Sequence, residues 1–124
     1  MSKVRDYFLL TYSVENQSDK DLSDKVRNAI ADINNSSLPS INKQAAAKII
    51  DWKKLDNVET TIKGFISLES SDYSNFADDA ENVIRNLFHS VLKSNNAKNY
   101  ATTIHCAMLT QNSGETFTFY VVCS

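Results

Sequence analysis

Glu15 stands next to last in the run DYFLLTYSVEN, residues 6 to 16, two residues beyond Ser13 on the same strand face. A carboxylate at a strand end can hold a divalent cation or accept a proton, so Glu15 is the first candidate for chemistry. The histidines are set apart: His89 lies beside the apolar stripe of a long helical pattern, and His105 lies next to Cys106. Neighbouring strand residues point to opposite faces, so a Cys106 nucleophile with His105 as its base fails on geometry, and no third ligand at zinc spacing accompanies either histidine. Gly64 and Gly114 stand singly, which excludes a glycine-rich phosphate loop. No cofactor or metal is therefore expected. Lys48, Lys53, Lys54 and Lys63 gather around a central hairpin pattern, where they can contact phosphate or an acidic partner, or simply keep a sheet edge from aggregating.

These residues must be held by one modest domain. The chain has 124 residues, 42% apolar and 23% charged, with two glycines and one proline, the make-up of an ordinary globular protein. A net charge of -2 supplies no global attraction for nucleic acid, so any such binding requires a local basic patch. No stretch reaches the roughly 18 apolar residues of a membrane span, and the N-terminus lacks a signal peptide's apolar centre, so a cytoplasmic protein without a membrane partner is expected. The two cysteines, Cys106 and Cys123, are expected to be reduced: in-register pairing of 100–110 with 116–123 around QNSGE would set Cys106 near Tyr120 and Cys123 near Thr103.

Residues 4 to 14 predict a strand with Phe8, Leu10, Tyr12 and Val14 on one face and Tyr7, Leu9, Thr11 and Ser13 on the other. In NQSDKDLSDKVRNAIADINN the period changes, with Leu22, Val26, Ala29, Ile30 and Ile33 forming a helical stripe, Ser18 or Asp19 able to cap it and Asn34-Asn35 able to stop it. The stretch from 36 to 57 predicts a loop or helical turn leading into a short strand at about 49 to 55, before Asp56-Asn57 turns the chain. VETTIKGFISLE is a strand with Val58, Ile62, Ile66 and Leu68 inward and Thr61, Lys63, Phe65 and Ser67 outward. Residues 71 to 96 form the strongest helix, striped by Phe76, Ala80, Val83, Ile84, Leu87, Phe88 and Val91, with Asp78, Asp79 and Glu81 in its early turns. A hairpin with Gly114 in its turn closes the chain.

The order β-α-β-β-α-β-β predicts an α+β fold: a ferredoxin-like sandwich, both helices on one face of an antiparallel sheet, with an added C-terminal strand in a single domain. On the last hairpin, Ile104, Cys106 and Met108 take one face while His105, Ala107, Leu109, Phe117, Phe119 and Val121 make the other apolar as well. A second apolar face needs a cover, and a homodimer supplies it.

YFLLTYSVEN, an amphipathic helix, WKKLDNVETTIKGFISLES and a second amphipathic helix together resemble the CRISPR-associated spacer-acquisition endonucleases and their small relatives, the VapD ribonucleases and the GhoS type of antitoxin, over residues 4 to 93. The resemblance implies an aromatic residue followed by an aspartate at the end of the first strand, with such carboxylates paired across a dimer axis on a cation. Tyr12 matches the aromatic, but Ser13 occupies the acidic position, and a neutral hydroxyl is a poor ligand for a hard cation. Lys63-Gly64-Phe65 looks like the start of the third-strand signature of the RNA-recognition motif, in which a basic residue grips phosphate and an aromatic stacks on a base, with Tyr7 as the neighbouring platform. Ile66, Ser67 and Ser70 depart from that signature.

The resulting expectation is a non-enzymatic, dimeric, antitoxin-like protein of a bacterial or phage conflict system that binds a protein or RNA through Trp52, Lys53, Lys54, Lys63 and Phe65. One alternative is a GhoS- or VapD-type endoribonuclease using Glu15 and neighbouring hydroxyls. The other is a protein-only inhibitor that plugs a partner's site with Asp72, Asp78, Asp79 and Glu81.

Overall fold

A computed structural model describes residues 4–16, 20–31, 33, 44, 47–55, 60–68, 73–94, 102–111 and 116–122. The elements run β1 (Val4–Asn16), α1 (Lys20–Ala31), β2 (Ile49–Lys54), β3 (Thr61–Leu68), α2 (Tyr73–Ser94), β4 (Thr102–Thr110) and β5 (Phe117–Val122). The expected capping residues Ser18 and Asp19, the Asn34-Asn35 stop, Asp56-Asn57, Val58, Ser70, Asp72, the turn with Gly114, and Cys123 lie outside the described residues.

The chain is α+β: the described elements are five antiparallel strands in one open sheet, in the order β2-β3-β1-β4-β5, and the helices α1 and α2. β1 is central because its alternation is the longest and cleanest, with Asp6, Phe8, Leu10, Tyr12 and Val14 buried and Arg5, Tyr7, Leu9, Thr11, Ser13 and Glu15 exposed. It pairs with β3 from Val4↔Leu68 to Thr11↔Thr61 and with β4 from Phe8↔Thr110 to Asn16↔Thr102.

The buried face of the sheet meets the helix stripes in one core that includes Val26 and Ile30 of α1 and Val83, Ile84, Leu87, Phe88 and Val91 of α2. Trp52 lies at the centre of this joint. Its ring packs 5.7 Å from Phe8 and 6.1 Å from Phe88, and its Nε1–H donates to the Ile30 carbonyl at 2.9 Å. Burying an indole with its one donor satisfied both removes a large apolar area from water and leaves no unpaired polar atom. Arg27 ties α1 to the end of β1, donating to the Val14 carbonyl at 3.2 Å while also pairing with Asp24.

Gly64 is demanded by a close approach. A Cβ there would lie 1.9 Å from the Asp51 carbonyl oxygen and 3.1 Å from Phe8 Cζ, so only glycine lets β2 pair at this level.

The C-terminal hairpin departs from expectation by one residue. Cys106 is opposite Phe119 and Thr103 opposite Val122, instead of Tyr120 and Cys123. Directly opposed residues share a face, so this shift carries Phe119 and Val121 into the core beside Cys106 and Ile104, where both are buried. Burial of two large side chains decides the register. The outward set from β5 is instead Thr118, Tyr120 and Val122, so the apolar surplus that motivated a dimer is smaller than the sequence suggests.

Both sheet edges are shielded. β2 carries exposed Asp51, Lys53 and Lys54 and an irregularity between Ile49 and Asp51, while on β5 Arg85 donates to the Tyr120 carbonyl at 2.8 Å. Among the described residues no helix is long and apolar enough to cross a membrane.

Candidate nucleic-acid interface

The face of the sheet turned away from the helices is assembled by alternation along each strand and by register between them. Tyr7 of β1 is opposite Phe65 of β3, Leu9 is opposite both Lys63 and Leu109, and Lys63 is opposite Lys53 of β2. At one corner the aromatic rings of Tyr7 and Phe65 sit edge to face, with centroids 5.5 Å apart. The Arg5 guanidinium lies 4.1 Å from the Phe65 centroid, a cation over a ring face. Tyr7 is 42% exposed, and Leu9 and Leu109 are each 39% exposed, which is unusual for side chains of that size on neighbouring strands.

Among the described residues the cations on this corner have no carboxylate paired with them. Lys53 and Lys63 face one another directly, an arrangement that costs a few tenths of a kcal/mol, about 0.2–1, unless an anion comes between them. Asp51, opposite Phe65, is the one acidic residue of β2 on this face.

The opposite corner has different chemistry. His105 Nε2 lies 3.1 Å from Glu15 Oε2, joining residues 90 positions apart. Ser13 and Tyr120 flank His105 in register on either side, and Tyr120 is 59% exposed. An open groove of about 760 Å³ is bordered by Ser13, His105, Tyr120 and Arg85. The reading of His105 as an isolated histidine is therefore corrected: the β1–β4 register brings it to Glu15, and no local sequence signal could have shown this.

The five expected contact residues divide. Lys53, Lys63 and Phe65 share the outer face. Trp52 does not: it is buried in the core against Phe8 and Phe88, because adjacent strand residues face apart and its indole fills the space under the helices. Lys54 shares Trp52's side of the strand and borders a small pocket with Asp24, Arg27, Asn28 and Ala31. Lys48 serves through its backbone, its carbonyl accepting the Ser67 N–H at 2.7 Å. Arg5 is a contact candidate that sequence reasoning missed, although its place two residues before Tyr7 put it on the same face.

Two buried groups are poor candidates for chemistry. Burial pushes the Cys106 thiol from 9.0 up to about 12, with Arg85 opposing the shift, so the thiolate nucleophile is suppressed at neutral pH. Burial likewise raises Tyr12 from 10.0 to about 12, against the pull of Arg27. Of the acidic residues expected in a protein-only inhibitor, Glu81 is committed to Arg85 at 2.8 Å, Asp78 is exposed and Asp79 is half-buried. Among the described residues no three His, Cys, Asp or Glu side chains converge as a metal site. Compared with family models, with curated proteins and with solved structures, the chain gives no match.

Proposed function

We propose that this chain binds single-stranded RNA on the outer face of its sheet, with Tyr7 and Phe65 as the stacking platform and Arg5, Lys53 and Lys63 as phosphate contacts. The observation that carries the reading is the corner where Phe65, Tyr7 and Arg5 meet beside two facing lysines. Every base has a π-face, so a platform with flanking cations binds single strands with little sequence preference. The strand order and antiparallel pairing support the finer assignment of a ferredoxin-like sandwich with one added strand, in which β1 and β3 lie side by side at the centre of such a platform. The resemblance to the conflict-system group supports an antitoxin-like or phage-defence setting and a cytoplasmic site of action.

Anisotropy of a labelled single-stranded RNA at low salt tests the reading. Loss of one base stack is worth about 1–3 kcal/mol, so Phe65→Ala is expected to weaken binding by about tenfold. Equal binding by wild type and Phe65→Ala would overturn it. A second copy of the chain is the competing occupant of the same face, favoured by exposed Leu9 and Leu109. In that case light scattering shows a dimer that Leu109→Arg dissociates, with no RNA bound.

A further inference from the structure

The Glu15–His105 pair gives the outer face a second capability. A carboxylate only accepts hydrogen bonds, so the Nε2 that meets Glu15 Oε2 at 3.1 Å carries the proton, and in the neutral ring the lone pair is left on Nδ1. Glu15 thus fixes the tautomer and orientation of an imidazole base, the service that an orienting carboxylate gives to a histidine in hydrolytic triads. The two side chains are 53% and 61% exposed, for His105 and Glu15, so a strand lying on the sheet can reach them. Tyr120 stands opposite His105 as an exposed ring on which a base can stack.

We propose that this pair is a general-base site that cleaves RNA held on the outer face, a reading that rests on the RNA binding argued above. In the step, His105 Nδ1 takes the proton of a ribose 2′-hydroxyl and the 2′-oxygen attacks the adjacent phosphorus. A P–O2′ bond forms as the P–O5′ bond breaks. The departing 5′-oxygen takes a proton from water, and the imidazolium returns its own to solvent. The products are a 2′,3′-cyclic phosphate and a 5′-hydroxyl, and a DNA strand, lacking the nucleophile, is bound but not cut. His105 is the catalytic residue and Glu15 a positioning residue. Two strand spacings and six residues of rise separate Phe65 from His105, about 22 Å on a flat sheet, so the platform corner anchors a strand whose later linkage reaches the base.

The full chain is incubated with end-labelled single-stranded RNA in a chelator, and with DNA of the same sequence, while binding is followed in the same samples by anisotropy. Wild type is expected to leave cyclic-phosphate ends on RNA and to spare DNA. General-base loss costs about 10²–10⁴-fold, so His105→Ala is expected to fall to background with RNA affinity unchanged. Glu15→Ala is expected to lower kcat at constant KM, and Glu15→Gln, whose amide oxygen can still accept the Nε2 proton, to recover part of the loss. RNA bound but cut no faster by wild type than by His105→Ala overturns the proposal and leaves the binding reading standing. Absence of RNA binding overturns both.

Discussion

Phe65 lies beneath the Arg5 guanidinium and meets Tyr7 at 75°, so the two rings, backed by one cation, form a single platform for a base entering this corner. Tyr7→Ala is accordingly expected to weaken RNA binding as much as Phe65→Ala, whereas Lys54→Ala, on the helix side of β2, leaves affinity unchanged. Beside Phe65, Gly64→Ala is expected to destabilise the fold by about 3 kcal/mol, measured by urea denaturation, because the new methyl group meets backbone instead of a side chain that can swing away. Cys106 and Tyr12 both titrate higher in the fold than in the unfolded chain, so their contribution to stability is complete below about pH 9 and is lost as pH rises toward about 12. A circular-dichroism titration is expected to show unfolding in that alkaline window, with Cys106 inert to alkylation at neutral pH. That Lys63 and Phe65 face outward was legible from alternation along β3. Trp52 adjoins Lys53 in the sequence but alternates with Lys54, so it takes the opposite face from Lys53 and enters the core.

At the scale of elements, β1, β3 and α2 could be read from period, since β1 and β3 alternate over several residues and α2 repeats its apolar stripe over several turns. The final hairpin could not be read to one residue, because Phe117, Phe119 and Val121 are apolar at every second position and the face they take depends on burial against α2. The Glu15–His105 pair follows from the β1–β4 register and was invisible for the same reason. β2 is held by its one indole: Trp52→Ala is expected to cost about 3–5 kcal/mol, while Lys53→Ala one residue on stays within about 0.5 kcal/mol. On the other edge, Arg85→Ala frees the Tyr120 carbonyl and is expected to raise concentration-dependent association, seen by light scattering.

The whole molecule carries a net charge of -2, so the proposed RNA binding rests on the local set Arg5, Lys53 and Lys63 against a mildly repulsive background. Three phosphate contacts on a single strand predict a log–log salt slope of about -2, and Lys63→Ala is expected to flatten it by about 0.7. The two faces of the sheet are unlike in make-up: one is filled by the helices and by Trp52, the other presents aromatic rings, cations and the Glu15–His105 pair. Ultraviolet cross-linking of single-stranded RNA to the intact protein, with the adducts located by mass spectrometry, tests this division most directly. Adducts on Tyr7 or Phe65 are the predicted result, and adducts confined to the helices, or none under conditions of saturating RNA, would contradict it.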